Sequence, residues 1–393
     1  MHTLHAFDTQ RFLRESWQKR PLLIRGAWAD WANPLDPDEL AGLACEAEVE
    51  SRLVRHTAPG EWALEHGPFA PDRFGALGDC PWTLLVQAVD HHVADVAALI
   101  EPFRFIPDWR IDDVMVSYAV DGGGVGPHFD QYDVFLVQGL GRRRWRVGQR
   151  CDESSPLLPH DGLRLLAEFD PVDEWVLEAG DILYVPPGFA HDGVAVGDDC
   201  MTYSVGFRAP SRGDLVSAWA DHVLDRLDED DRYTDPDLVE TAHRGEIAPE
   251  ALARLHAMAA DALADRDAFA AWFGAYVTAP KDDRLDWAPE EQIVAADLVE
   301  ETNGCALVER NPASRFSFIR HDDGQGDGQG DDAVTLFVDG RTYPCHGPCA
   351  TLARRICAET QFALEPELAR DPAVADLLVD LINRGSLARS TAD

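Results

Sequence analysis

Lysine is nearly missing from this 393-residue chain: Lys19 and Lys281 are the only two. Against 34 basic residues stand 71 acidic ones, a net charge of −37. A field of that sign repels free nucleic acid and attracts basic partners. Two origins stay open: service to a basic partner, or an acid-rich surface reflecting a saline or GC-rich source. No apolar run approaches the ~18 residues of a membrane span. The N-terminus, MHTLHAFDTQRFLRESW, has no basic stretch followed by an apolar one, so no signal peptide is expected. Eight cysteines lack framework spacing and read as reduced thiols. Cys345, His346 and Cys349 near Cys357 have no matching second pair, which argues against zinc. A cytoplasmic location is expected.

What is present centres on Gly122 to Val147, GGGVGPHFDQYDVFLVQGLGRRRWRV. Read as a strand, it places His128 and Asp130 on one face, because side chains alternate. A second histidine from elsewhere would complete the 2-His-1-carboxylate set of non-haem Fe(II) oxygenases. His191 is the candidate, 63 residues on, in GDILYVPPGFAHDG. There an apolar strand, Asp181 to Val185, meets the turn Pro186-Pro187-Gly188, and His191 starts the return strand. Alternation on the next strand puts Arg143 with Trp145 and Val147, and Arg142 and Arg144 on the other face. An inward guanidinium can hold a carboxylate by two parallel hydrogen bonds, as the distal carboxylate of 2-oxoglutarate requires. Ser117 and Tyr203, hydroxyl residues on flanking strands, are candidates for supporting contacts.

The run PHFDQYDVFLVQGLGRRRWRVG, with PDWRIDDVMVSY before it and GDILYVPPGFAHDG and YSVGFRAP after, resembles the bacterial ribosomal oxygenase family. The similarity begins near Trp17-Gln18-Lys19-Arg20-Pro21, is specific in the catalytic half and loosens beyond about residue 280. Members are JmjC-type Fe(II)/2-oxoglutarate enzymes that hydroxylate an arginine of large-subunit ribosomal protein sixteen. The resemblance therefore implies iron held by His128, Asp130 and His191, with 2-oxoglutarate and dioxygen as co-substrates. It also implies a basic ribosomal protein as partner. A substrate arginine needs an acid, an apolar wall and a stacking surface. Asp113, Met115, Tyr132 and Ser204 are the candidates, by strand position and by resemblance. Asp113 as a strand-end turn residue stays open.

In chain order, residues 1–209 are expected to form the JmjC/cupin catalytic domain, a double-stranded β-helix or jelly roll. Asp36 to Cys45 carries an Asp-Pro-Asp start before a helix, and Ser51 to His56 with Glu61 to Glu65 makes a strand pair. TLLVQAVDHHVADVAALIEPF, 83–103, reads as one amphipathic helix on which His91 and His92 diverge. Residues 153–178, bounded by Pro156, Pro159 and Pro171, read as an excursion between barrel strands. Residues 210–280 are helical, at 214–227 and 249–276, either packed on the barrel or forming a dimerisation region; the resemblance implies a dimer. Residues 285–393 resemble a winged helix with too few basic residues to suggest DNA binding. The DDGQGDGQGDD loop, 322–332, lacks the glutamate of a calcium loop.

The overall expectation is an α+β protein acting as an Fe(II)- and 2-oxoglutarate-dependent hydroxylase of a ribosomal protein arginine. Two alternatives stay open: a JmjC hydroxylase or demethylase of another protein, or a non-catalytic metal-binding cupin scaffold.

Overall fold

The computed structural model describes residues 4–5, 7–28, 30–58, 60–78, 80–240, 242–281, 287–301, 306–321 and 333–391; the 322–332 loop lies outside them. Backbone contacts divide the chain into two compact units. The first takes in Met1–Ala209, Lys281–Asp286 and Asn311–Ala313, and the second Pro210–Pro280, Trp287–Arg310 and Ser314–Asp393.

Eleven strands build the first unit among its described residues: β1 (Leu22–Ile24), β2 (Ser51–Ala58), β3 (Glu61–His66), β4 (Trp82–Val86), β5 (Ile111–Ala119), β6 (Asp133–Leu140), β7 (Arg142–Arg150), β8 (Pro171–Glu178), β9 (Ile182–Val185), β10 (Phe189–Ala195) and β11 (Cys200–Phe207). They form two antiparallel sheets, ordered β1-β9-β6-β11-β5-β4-β2-β3 and β10-β7-β8, the expected double-stranded β-helix.

The pleat sorts the large sheet. Val114, Val116, Phe135, Val137, Ile182, Tyr184, Tyr203 and Val205 join one core with Phe12, Leu40 and Phe103 from the helical N-terminal segments. Their strand neighbours Met115, Ser117, Val134, Leu136 and Ser204 line a cavity instead. Burying each core side chain contributes roughly 1.5–3 kcal/mol, and a one-residue slip would forfeit the whole row at once. Register is therefore set by the core, and the cavity face inherits it.

Helix starts follow the sequence cues. Pro37–Leu43 begins at Asp36, whose side chain and that of Glu39 cap it reciprocally. The helix expected at 83–103 does not exist. Thr83 to Val86 belongs to β4, Ala88 takes a positive φ of 52°, and only short turns follow, Val89–His91, Ala94–Ala97 and Ala98–Phe103. Pairing of β4 with both β2 and β5 outweighs the helical periodicity. The 153–178 excursion is also shorter than expected, because Pro171–Glu178 is strand β8.

In the second unit, helices Arg212–Leu224, Pro249–Leu263 and Arg266–Thr278 come first. The last two replace the single helix expected at 249–276, since Asp265 caps a new start by accepting from Asp267 and Ala268 N–H. Strands β12 (Ala306–Arg310), β13 (Phe316–Arg320), β14 (Val334–Val338), β15 (Arg341–Cys345), β16 (Gln361–Ala363) and β17 (Leu387–Thr391) make two small sheets. These pack with helices Pro348–Ala358 and Pro372–Asn383 around Leu336, Leu352 and Leu378.

Candidate active site

His128 and Asp130 do not lie on a strand, contrary to expectation: Gly126 and Pro127 interrupt the chain, and β6 begins only at Asp133. What brings them together is an isolated bridge. His128 and His191 exchange two backbone hydrogen bonds, of 3.0 and 2.8 Å, across the cavity mouth. Asp130 Oδ2 then sits 3.9 Å from His128 Nε2 and 3.6 Å from His191 Nε2. A ligand atom from each of the three lies within 4.8 Å of the others, the one such group among the described residues.

The tautomers follow from the partners. His128 Nδ1 meets Gly126 O at 2.8 Å and His191 Nδ1 meets Phe189 O at 2.9 Å. Carbonyls only accept, so each Nδ1 carries the proton and each Nε2 keeps a lone pair aimed inward. A register shift in β10 between Phe189 and His191 turns the ring toward this position. Burial lowers the His191 pKa to about 4, with the neighbouring His128 adding to it, so the ring is neutral at pH 7. Two imidazole Nε2 atoms and one carboxylate converging with an open side match the donor set of a non-haem Fe(II) centre.

Arg143 behaves as strand parity required: it is 5 % exposed beside Trp145 and Val147, whereas Arg142 is exposed and Arg144 half-buried. Its guanidinium lines the same cavity of about 300 Å³ as the three ligands. Nη1 donates to Ser117 Oγ at 3.4 Å and Nε to Cys200 Sγ at 3.4 Å, but Nη2 is buried without a partner. No carboxylate among the described residues pairs with it. A buried, under-satisfied cation is costly, and a ligand carboxylate would satisfy it. The residues thus fit both iron and 2-oxoglutarate.

Tyr203 is not in the cavity. Its neighbours Thr202 and Ser204 face the other way along β11, and its hydroxyl donates to Asn33 Oδ1 at 3.0 Å inside the large core. Ser117, Met115, Tyr132 and Ser204 do line the cavity. Asp113 shares the β5 face of Met115 and Ser117 but is not a lining residue. Its Oδ2 already accepts from Gln87 Nε2 at 2.7 Å, Ala88 N–H at 3.0 Å and Lys281 Nζ at 2.7 Å.

Several contributors carry no local sequence signal. Arg52, Thr83 and Leu85 reach the cavity from β2 and β4, and Gly162 to Leu165 close it from the excursion. His160 holds that segment down: its Nε2–H donates to Trp62 O at 3.1 Å and its Nδ1 accepts from Leu163 N–H at 3.1 Å. Fully buried Asp133 anchors the chain just after the site loop, accepting from Gln18, Arg110 and the Tyr184 hydroxyl. Asp192, next to His191, is buried against Arg146.

A double-stranded β-helix with this donor set and an inward arginine defines a 2-oxoglutarate- and Fe(II)-dependent oxygenase of the JmjC type. A JmjC domain model matches residues 98–215, and a ROXA-like winged helix model matches 261–388. Ribosomal protein uL16 3-hydroxylase of Escherichia coli is 47% identical over 280 residues, 71% of this chain and 74% of that one. A probable ribosomal oxygenase of Haemophilus influenzae is 36% identical over 320 residues, 76% of each chain. The chain belongs to the ribosomal oxygenase family. Its structure is similar to the X-ray structure of Escherichia coli YcfD, with a TM-score of 0.87 at 36% identity, covering 99% of this chain and 100% of that one. YcfD in complex with cobalt and 2-oxoglutarate matches with a TM-score of 0.85 at 36% identity, over 99% and 100% of the two chains.

Proposed function

We propose that this protein hydroxylates an arginine side chain of ribosomal protein uL16, using Fe(II) held by His128, Asp130 and His191. The observation that carries the reading is the cavity itself: three converging ligands and a buried guanidinium with a free Nη2 line one cavity. Bound iron and 2-oxoglutarate supply the oxidising chemistry, in which dioxygen converts 2-oxoglutarate to succinate and carbon dioxide and delivers oxygen to a substrate C–H bond. The chain's own residues position and shield. Arg143 takes the distal carboxylate, with Ser117 beside it to fix the guanidinium. Trp145 packs against the same group, 5.7 Å from its ring centre.

The substrate side chain enters past Met115 and Tyr132, with Ser204 as a polar contact and Asp113 as the source of negative charge. Tyr132, 40 % exposed at the cavity, stays a neutral phenol, because loss of water around it on the cavity side and then the charges of Asp130, Asp113 and Asp112 push its pKa above the usual range. A neutral ring offers its face to a guanidinium. The net charge of −37 steers a basic ribosomal protein toward the enzyme, and such a substrate places it in the cytoplasm. No helix among the described residues is long and apolar enough to cross a membrane.

The helical segment is read as a homodimerisation surface. Val216, Leu224, Leu252 and Leu255 are 58, 63, 60 and 43 % exposed there, a concentration that favours a partner surface over solvent. The domain reading stays at 1–209 catalytic, 210–280 helical and 285–393 winged-helix-like. Mass spectrometry of a uL16 peptide incubated with enzyme, iron and 2-oxoglutarate tests the function. A 16 Da gain on arginine is expected from one added oxygen atom. Succinate release with the gain on another residue type would replace the substrate, and no iron-dependent succinate at all would leave a scaffold.

A further inference from the structure

Lys281 is one of two lysines in the chain, and backbone contacts group it with the β-helix unit. Its Nζ lies 2.7 Å from Asp113 Oδ2 and 3.2 Å from Asp112 Oδ2. Burial pulls its pKa down, but Asp113 and Asp112 outweigh that and raise it, so it is an ammonium at pH 7. Asp113 lies on the cavity-side face of β5, two residues before Met115, and its charge reaches the lining residue Tyr132. The one acid that the cavity face of β5 offers a substrate guanidinium is thus already paired with a cation of the same chain.

We propose that Lys281 is an internal stand-in for the substrate's cation, displaced from Asp113 when the target arginine enters, and so a residue that sets the enzyme's affinity for its substrate. The inference rests on the reading of Asp113 as the substrate's acidic partner. Lys281 keeps Asp113 neutralised in the free enzyme, where a 3 % exposed carboxylate without a counter-charge would be costly. Its release is inexpensive, because Asp112 is a second carboxylate with a side chain 33 % exposed, on which the ammonium can stay. A guanidinium exchanges well for an ammonium, since its planar fork matches a carboxylate with two parallel bonds. A neutral side chain cannot make that exchange. Competition by Lys281 therefore lowers the enzyme's apparent affinity for the target arginine by the fraction of time the ammonium holds the seat.

The lysine content makes a direct test practicable. The wild-type enzyme, loaded with cobalt and 2-oxoglutarate, is exposed briefly to an amine-acetylating ester with and without a lysine-free arginine peptide. Mass spectrometry then gives labelling of Lys281 relative to Lys19. Peptide should raise the ratio several-fold, and the same peptide with glutamine at the target should not. In parallel, Lys281→Met should lower the peptide KM about tenfold, as expected when a stand-in fills the seat nine-tenths of the time. The 2-oxoglutarate KM should move less than about twofold. A Lys281 ratio that stays flat or falls with peptide, or a peptide KM that rises in Lys281→Met, overturns the stand-in role. Asp113→Asn separates the two layers. If it hydroxylates peptide like wild type, the Asp113 reading itself is lost. If it fails on peptide while Lys281 shows neither effect, only the stand-in role is lost.

Discussion

Replacing Arg143 by methionine removes the guanidinium and keeps an unbranched side chain in a packed place. Arg143 is 5 % exposed, its Nη2 has no partner, and its two remaining bonds go to neutral Ser117 and Cys200. A bound carboxylate would therefore be its counter-charge, and breaking such a buried pair costs about 3–5 kcal/mol. At 1.4 kcal/mol per factor of ten, even the lower figure raises the 2-oxoglutarate KM more than about 100-fold. The free protein should respond with the opposite sign. An uncompensated buried cation, a burden of several kcal/mol, disappears, and the desolvated contact with Trp145 that goes with it is worth about 2 kcal/mol, so the ligand-free melting temperature should hold or rise. Succinate release against 2-oxoglutarate concentration, together with melting curves with and without 2-oxoglutarate, reads both effects. Arg142→Ala, at an exposed position, is the control. An Arg143→Met enzyme whose KM stays within about threefold of wild type, or matches Arg142→Ala, would refute the anchoring role.

His191→Ala should abolish iron-dependent succinate release and weaken cobalt binding by titration calorimetry, with the far-UV spectrum intact; retained turnover would remove His191 from the ligand set. Tyr203→Phe should leave the 2-oxoglutarate KM unchanged while costing about 1 kcal/mol of stability through its lost bond to Asn33, checked by denaturant unfolding. Burial, then Asp113, raises the pKa of Asp90 from 3.8 to about 8, so the folded state holds a proton that the unfolded state has released. Stability from that group is complete below pH 3.8 and drains away as pH rises to about 8. Asp90→Asn should flatten the wild-type decline in melting temperature between these values, and an identical slope in both proteins would contradict it. Leu252→Glu should shift a homodimer toward monomer in sedimentation; an unchanged mass would move the interface off that helix.

The residue types of the site were legible because they are set by chemistry rather than by neighbours. A histidine and an aspartate two apart, a second histidine after a Pro-Pro-Gly turn, and one arginine of three sharing parity with Trp145 are local patterns. The core also wrote itself into the strands as alternation, which is why Arg143, Met115 and Ser117 were assigned the correct face. Tyr203 shows where that stopped. The choice between its face and that of Ser204 depends on which side of β11 the aromatic N-terminal core covers, and those residues lie far away in sequence.

Tertiary structure alone decided the rest. His128 and Asp130 meet His191 through a two-bond bridge between distant segments, where local alternation had suggested a strand. The apolar run 83–86 became strand β4 because β2 and β5 pair with it on both sides, a term that no helical periodicity contains. The pairing of Lys281 with Asp113 spans 168 residues. Sequence determines which groups can ligate, ionise or bury. Long-range packing determines which of them face one another, because burial and pairing energies accrue only once the chain has folded.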